Sequence, residues 1–457
     1  MTDLDDLLQQ AATEVARFRA GVDERPVGRP ADPEVVRDGF GGALPAGRTP
    51  PDVVLRELVK AADPGLVASA GPRFFGFVIG GSLPAALAAD VMATGWDQCA
   101  FNGTLSPAAL AVEEVTGGWV KDLLGIPATA SVGFVTGAQE GNTVALAAAR
   151  HHVLAEQGWD VEADGLQGAP RVRVVASEER HATIDRSLRL LGLGNHAVQP
   201  VRADANGAMD LAHLDELLQQ DSAVPTIVCV QSGNVNTGAC DDLASACALA
   251  HAQNAWVHVD GAFGLWAAAA PSLKHLVAGV EQADSWGCDA HKWLNVPYDS
   301  GLVLVSRPAV HAAAASYTAA YLTGSGQGAP AGSDLVLQSS RRARGFAVWA
   351  ALRELGRDGV AELVERTCGL ARRFGDQLGA AGAEIANDVV LNQVLVAFGN
   401  DAQTDAVIAA VQRDGTCWMG GTTWRGRRYM RISVSNHATT EADVDRSVQA
   451  ILGGWDR

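Results

Sequence analysis

The most informative segment of this chain is Asp289-Ala290-His291-Lys292-Trp293-Leu294-Asn295, which lies just ahead of the strand-like residues Leu302–Val305. Lysine is rare in the chain, because only four of its 35 basic residues are lysines and the rest are arginines. An arginine keeps its proton, whereas a desolvated lysine can lose it and form a Schiff base with a carbonyl group. The segment therefore indicates a catalytic amine at Lys292, although a lysine at a strand end can also simply extend its charge into water.

Composition excludes several classes of protein. The chain has 457 residues, 48% of them hydrophobic and 19% charged, which is enough for a large core and a smaller second domain. Its formal net charge of −17 argues against nucleic acid or an anionic membrane as a partner. The best candidate for a membrane span is the apolar run at 74–96, and Asp90 interrupts it.

Two features of the sequence bear on the cellular compartment. The N-terminal residues are acidic and lack the pattern of a signal peptide. The seven cysteines are an odd number and form no C-x-x-C pair. We therefore expect a reduced, cytoplasmic protein.

Short apolar segments alternate with helical ones through the middle of the chain. Strands are predicted at 133–135, 172–176, 226–231, 256–259, 285–288 and 301–305, and helices at 1–20, 53–62, 106–124, 142–156, 210–218 and 243–253. This alternation predicts an α/β fold with a mostly parallel sheet that helices cover on both faces. A small α+β domain is predicted after a long helix at 344–355, with strands at 392–398 and 428–434 and helices at 404–413 and 441–452.

Side chains that follow parallel strands lie at the edge of the sheet where ligands usually bind. Residues 136–142 join a strand to a helix, and the free N–H groups at such a helix start favour a phosphate. Asp260 ends another predicted strand and can either face a ligand or cap a helix. It precedes Lys292 by 32 residues, enough for one helix and one more strand, so we expect both at one edge of one sheet.

His181 and Asn234 also follow predicted strands. The imidazole of His181 can stack on a flat ring or belong to an ordinary surface loop. Asn234 lies in the turn at 231–238, which is rich in side-chain donors and can be a wall of the same site or a turn alone. No G-x-x-x-x-G-K-[ST] motif occurs, so a nucleoside triphosphate is not expected.

In order and spacing, these residues resemble the group II amino-acid decarboxylases, which depend on pyridoxal phosphate (PLP) and share the aspartate aminotransferase fold, fold type I. The resemblance covers about 71–451 and is carried by segments 71–77, 136–142, 291–293 and 431–436. It implies a large domain with a mainly parallel seven-stranded sheet between helices, and a small α+β C-terminal domain. The implied bounds are 1–70 for an N-terminal helical arm, 71–308 for the PLP-binding domain, 309–343 for a mobile catalytic loop and connector, and 344–457 for the small domain.

The resemblance also assigns residues to the cofactor and the substrate. It implies that Lys292 holds PLP as an internal aldimine, that His181 stacks on the ring and that Asp260 pairs with the pyridine nitrogen. The implied cofactor-binding residues are Gly137, Ala138, Gln139, His181, Asn234, Asp260, Ala262, His291 and Lys292. Arg431 and Phe77 are implied on the substrate side. A homodimer with active sites at its interface is expected, and no metal is implied.

Tyr321 lies 29 residues beyond Lys292 and precedes a glycine-rich run at 323–330. The resemblance implies that this tyrosine, on a mobile loop, protonates the quinonoid formed after CO₂ is lost, so that an amine is released. Tyr317 is a rival for the same function.

Two residues depart from the pattern of the family. Gln139 stands where small hydroxyl residues are usual, so its amide is expected to act as a donor instead. Asp289 lies three positions before Lys292, and a carboxylate there is not expected to bind phosphate directly.

The sequence therefore predicts PLP-dependent decarboxylation of an L-amino acid to its amine and CO₂. The alternatives on the same fold are an aminotransferase and a decarboxylation-coupled oxidative deaminase. A non-catalytic relative is disfavoured because Lys292 and Asp260 are both present, and hydrolases are disfavoured because G-x-S-x-G and H-E-x-x-H are absent. The substrate stays open, since decarboxylases of acidic and of aromatic amino acids both carry an arginine at the position of Arg431.

Overall fold

Three helices form the N-terminal part of the chain in the computed structural model, which describes residues 3–28, 31–221, 223–317 and 332–456. They are α1 (Leu4–Gly21), α2 (Pro33–Phe40) and α3 (Pro51–Ala62). Helices α1 and α3 confirm the predictions at 1–20 and 53–62, whereas α2 has no counterpart among the predicted helices. No side chain of α1 or α2 is buried, and several of their large apolar side chains are exposed.

The seven-stranded sheet is formed by the middle of the chain. Its elements and their helices are α4 (Pro84–Trp96), α5 (Pro107–Leu124), β1 (Ser131–Val135), α6 (Ala138–Ala155), α7 (Val161–Asp164), β2 (Arg173–Ser177), α8 (Ala182–Leu190), β3 (Val198–Val201), α9 (Leu211–Gln219), β4 (Thr226–Gln231), α10 (Leu243–His251), β5 (Trp256–Asp260), β6 (Ser285–Asp289), β7 (Gly301–Val305) and α11 (Pro308–Ala315). The strand order is β1-β7-β6-β5-β4-β2-β3. Strand β7 runs antiparallel to both of its neighbours, β1 and β6, and the other paired strands are parallel. The predicted mainly parallel sheet is therefore confirmed.

Apolar side chains pack on both faces of the sheet, which explains why most of its strands are nearly continuous hydrophobic runs in the sequence. Every residue of β2, β4, β5, β6 and β7 is buried. Alternate residues belong to two different cores, so that Val228 packs on one face of the sheet and Ile227 on the other. Such double coverage is typical of sheets built from strand–helix–strand units.

The C-terminal part forms a second, smaller sheet. Its elements are α12 (Gly345–Ala380), β8 (Glu384–Ile385), β9 (Gln393–Ala397), α13 (Asp401–Asp414), β10 (Gly420–Trp424), β11 (Arg427–Ser433) and α14 (Glu441–Trp455). The four strands are antiparallel in the order β10-β11-β9-β8, and they share a core with α12, α13 and α14. This confirms the predicted small α+β domain. Helix α12 is interrupted at Gly356, whose φ of 62° is non-helical.

The domain bounds stay a prediction, because the segment near residue 71 contacts both parts. Phe75 belongs to the core of the C-terminal domain, and its N–H donates to the carbonyl of Trp418 at 2.8 Å. Val78, three residues later, belongs to the core of the large sheet. None of the helices within the described residues has the length and apolar character that crossing a bilayer requires.

Candidate active site

A cavity of about 450 Å³ opens where the carboxyl ends of β1, β2, β4, β5 and β6 meet. Parallel strands bring the residues that follow them to a single edge of the sheet, which explains the convergence of distant segments. Ten of the twelve predicted site residues line it: Phe77, Gly137, Ala138, Gln139, His181, Asp260, Ala262, His291, Lys292 and Arg431.

Asn234 is not among the residues that line the cavity. Its Oδ1 accepts the N–H groups of Asn236 at 2.9 Å and Thr237 at 3.2 Å, and its Nδ2 donates to the carbonyl of Glu179. The side chain thus organises the turn after β4. These bonds already engage the side-chain amide of Asn234, and its contact with the cofactor stays a prediction.

Tyr321 and Tyr317 are the two candidate proton donors. Tyr321 and the glycine-rich run after it lie outside the described residues. Tyr317 donates to or accepts from the hydroxyl of Ser339 at 2.7 Å and does not line the cavity.

Lys292 follows β6 in a tight turn that returns its amine towards the end of the strand. Its Nζ lies 2.9 Å from Oδ2 of Asp289, which is buried. The other carboxylate oxygen of Asp289 accepts the N–H of Ala138 at 2.6 Å, at the start of α6. The amine and the helix start are therefore linked through one carboxylate.

His181 caps α8 and presents its ring to the cavity. Its Nδ1 accepts the N–H of Thr183 at 3.3 Å and lies 2.9 Å from the hydroxyl oxygen of the same threonine. Burial lowers the pKa of His181, and the nearby carboxylate of Asp260 opposes that shift. An uncharged imidazole at neutral pH is suited to stacking on an aromatic ring.

Asp260 is a buried carboxylate that faces the cavity at the end of β5. Within the described part of the chain it has no ion-pair partner, and its closest donor is the N–H of Ala262 at 3.4 Å. A buried carboxylate is costly unless a cation or good donors accompany it. The position is therefore suited to a ligand that brings a cationic nitrogen, as the protonated ring of PLP does.

Arg431 extends from β11 of the C-terminal domain into the same cavity. Burial lowers the pKa of its guanidinium, and none of the described carboxylates forms an ion pair with it. Arg431 and Lys292 are the two basic side chains, lysine or arginine, among the described lining residues. Arg431 is therefore available to an anionic group of a ligand.

Glycine is required where β7 passes the start of α6. A Cβ on Gly301 would lie 2.5 Å from Cα of Gly137, and a Cβ on Gly137 would lie 2.9 Å from Cε1 of His291. The two backbones can come this close only because neither glycine has a side chain. The absence of a side chain at Gly137 also lets an anion reach the first N–H groups of the helix.

Gln139 was predicted to offer its amide to a phosphate. It lines the cavity, but its Nε2 donates to the hydroxyl of Ser187 at 3.0 Å. The amide nitrogen therefore links α6 to α8, and the phosphate contact of this side chain stays a prediction.

A family model, the pyridoxal-dependent decarboxylase conserved domain, matches residues 33–399. This match spans most of the chain. The chain belongs to the pyridoxal-dependent decarboxylase family. Its cofactor is PLP and its reaction is the decarboxylation of an amino acid, so it is a carboxy-lyase.

Relatives and solved structures agree with this assignment. Tryptophan decarboxylase 1 of Oryza sativa subsp. japonica is 27% identical, over 97% of this chain and 91% of its own length. The aromatic-L-amino-acid decarboxylase of Sus scrofa is 26% identical, over 96% and 93%. The crystal structure of Oryza sativa TDC with PLP and tryptamine has a TM-score of 0.92 at 24% identity, covering 99% of this chain and 98% of that one, which shows the shared fold.

Trp418, which sequence reasoning missed, lies beside the decarboxylase site, in contact with one of the residues that line it. Trp418, from the C-terminal domain, stacks on Phe74 with ring centroids 4.9 Å apart and on Phe77 at 5.1 Å. Phe77, which lines the cavity, is 61% exposed and has a φ of 56°. No local pattern predicts this cluster, because Trp418 is far from the two phenylalanines in sequence.

Proposed function

We propose that Lys292 of this decarboxylase carries the PLP, with His181 against the cofactor ring, Asp260 at the ring nitrogen and the start of α6 at the phosphate. The observation that carries this proposal is that a buried carboxylate, unpaired with any cation of the described residues, faces the same cavity as the amine. When bound, PLP supplies an electron sink for the electron pair of the bond between the substrate's α carbon and its carboxylate.

Each residue of the chain has a distinct task in this proposal. The carboxylate of Asp260 keeps a proton on the ring nitrogen, because a buried negative charge favours the cationic form of its neighbour. The uncharged ring of His181 covers the cofactor and excludes water from it. Arg431 orients an anionic group, and Lys292 accepts and returns a proton when the substrate amine enters and the product leaves.

We further infer that the substrate is an aromatic L-amino acid and the product its amine. Support for the substrate comes from the aromatic cluster of Phe74, Phe77 and Trp418 beside the cavity, and from relatives named for tryptophan and aromatic amino acids. Support for the amine comes from Tyr321, which by resemblance returns a proton to the α carbon. The relatives also include a phenylacetaldehyde synthase from a Rosa hybrid cultivar, so aldehyde is the competing product.

The attachment site is tested by loading wild type and Lys292→Ala with PLP, reducing with borohydride and mapping the labelled peptide by mass spectrometry. We expect one pyridoxyl group on Lys292 in wild type and none in the variant. Lys274→Ala is the matched control, because this lysine lies outside the cavity, and it should keep the label. Labelling of another lysine in wild type would contradict the proposal.

The product is tested by incubating wild type and Tyr321→Phe with L-tryptophan, L-tyrosine, L-phenylalanine and L-glutamate. We expect amine and CO₂ from wild type with an aromatic substrate and a strong loss of amine in the variant. Amine output from Tyr321→Phe equal to that of wild type would rule out the assigned function of this tyrosine. Turnover of L-glutamate alone would refute the aromatic assignment.

We also infer a cytoplasmic homodimer. The exposed apolar side chains of α1 and α2 support a partner surface, and the seven cysteines, none in a disulfide, support a reducing compartment. Light scattering of the purified protein should give about twice the chain mass of 47.5 kDa. Recovery of the protein in a membrane or secreted fraction would contradict the compartment.

A further inference from the structure

Asp289 is placed where an anionic ligand of the cavity would be expected. It ends β6, is 2% exposed and contacts three other residues that line the cavity. Its Oδ1 accepts the N–H of Ala138 at 2.6 Å, and its Oδ2 lies 2.9 Å from Nζ of Lys292. Nε2 of His291 lies 3.5 Å from Oδ1.

These contacts use the groups that a phosphate would need. The first N–H groups of a helix attract anions because they lack intrahelical partners and lie at the positive end of the helix dipole. At the start of α6, Asp289 takes the N–H of Ala138, and Glu140 takes both the N–H and the hydroxyl of Thr136 at 2.8 Å. The chain's own carboxylates thus already serve donors of the proposed phosphate site.

Lys292 does not compensate for this arrangement, because its charge is paired with the same carboxylate. A phosphate that approaches the start of α6 therefore meets an ion pair whose carboxylate already occupies the N–H of Ala138, and no free ammonium from Lys292. Two anions in one desolvated site repel each other strongly, since the interaction is little screened there.

We propose that Asp289 is a resident anion, which orders Lys292 and the start of α6 before the cofactor binds and which the cofactor phosphate must displace. This inference rests on the proposed cofactor site. Asp289 is thus a positioning residue that stabilises the cofactor-free protein and weakens its affinity for PLP through the phosphate. Its two effects have opposite signs, which a purely structural residue would not show.

The test compares wild type with Asp289→Asn, which keeps the shape and an acceptor for Ala138 but removes the charge. Binding of PLP and of pyridoxal, which lacks the phosphate, is titrated by absorbance, and thermal unfolding is followed without cofactor. Asp185→Asn is the matched control, because it removes one negative charge from α8, where Asp185 pairs with Arg180 at 2.9 Å outside the cavity.

We expect Asp289→Asn to bind PLP about tenfold or more tightly than wild type, since one like charge is removed from a desolvated site. Its affinity for pyridoxal should change little, and its cofactor-free form should unfold at a lower temperature. Asp185→Asn should match wild type in all three measurements.

Two outcomes would overturn the inference. Equal gains for PLP and pyridoxal would mean that Asp289 acts only as the counter-ion of Lys292. Unchanged or weaker PLP binding would mean that the carboxylate does not compete with the phosphate. Both outcomes leave the cofactor site intact if wild type is labelled at Lys292, whereas absence of that label is a failure of the proposed function itself.

Discussion

At the scale of single residues, the charge on Asp260 is the feature on which the proposed chemistry depends most. Its carboxylate is buried at the end of β5 and has no cationic partner among the described residues. A group in this position gains its stabilising partner only when a cationic ring is bound. The same isolation means that replacing the carboxylate by an amide need not disrupt the fold.

We predict that Asp260→Asn lowers kcat by about 10²–10³-fold, because a unit charge about 4 Å away is worth about 4 kcal/mol at an effective dielectric constant of about 20. The measurement is steady-state CO₂ release at saturating substrate, with circular dichroism to confirm folding. Asp185→Asn is again the control for net charge. A kcat within about threefold of wild type would remove Asp260 from the mechanism.

The residues of the site differ in how far sequence could predict them. Lys292 and Asp260 lie at the ends of short, mainly apolar strands. The hydrophobic pattern that predicts a strand depends on neighbouring residues alone, and the folded protein has strands at both places. Asn234 is different, because a side-chain amide at a turn bonds to the backbone of its own turn when those N–H groups are near. The outcome of that competition depends on turn geometry, which residue type alone does not specify.

At the scale of secondary-structure elements, the packing of β7 against α6 positions the proposed phosphate site. The approach is so close that a Cβ on Gly301 would lie 2.5 Å, 2.8 Å and 2.9 Å from the Cα, C and N atoms of Gly137. Backbone atoms cannot move aside as a flexible side chain can. Either the strand or the start of the helix must shift to admit a side chain.

We predict that Gly301→Ala weakens PLP binding about tenfold or more and lowers the free energy of unfolding by about 1–3 kcal/mol. Titration with PLP and urea denaturation measure the two effects. Gly118→Ala is the matched control, because a Cβ at this exposed position in α5 meets nothing within 4 Å. It should leave PLP binding unchanged and stabilise the protein by about 0.5–1 kcal/mol. Equal PLP affinities in wild type and Gly301→Ala would show that the contact does not position the site.

Several elements were predicted within a few residues, and their errors have physical causes. The strands at 226–231 and 301–305 match β4 and β7, since both are fully buried apolar runs. The helix predicted at 142–156 begins at Ala138 instead, because a glycine and two polar residues in its first turn interrupt the apolar pattern. Strand β3 has no counterpart among the predicted strands, since it is short, lies at the sheet edge and contains a proline.

At the scale of the whole molecule, buried histidines set the acid stability. Burial lowers the pKa of His258, His311 and His437 to about 4. Between about pH 4 and the ordinary histidine value of about 6.5, the unfolded chain binds protons that the folded chain does not. The free energy of unfolding therefore falls as the pH falls through this window.

We predict that replacing His437 by Gln flattens the dependence of unfolding free energy on pH by about 1.4 kcal/mol per pH unit between about pH 6 and 4.5. Urea denaturation at a series of pH values measures the slope. His275→Gln is the control, because this histidine is exposed, and its slope should equal that of wild type. A slope for His437→Gln equal to that of wild type would show that His437 is protonated equally in both states.

The sequence by itself determined the α/β class, the order of the motifs and the placement of His181, Asp260 and Lys292 at the ends of three of the predicted strands. These follow from hydrophobic periodicity and turn residues, which act between neighbours in the chain. The tertiary structure decided which side chains share the cavity and what each one contacts. The side chain of Asn234 bonds to the backbone of its own turn, and Trp418 stacks on Phe77. The carboxylate of Asp289 accepts the N–H of Ala138 at the start of α6. Such contacts join residues far apart in sequence, and they depend on how whole elements pack.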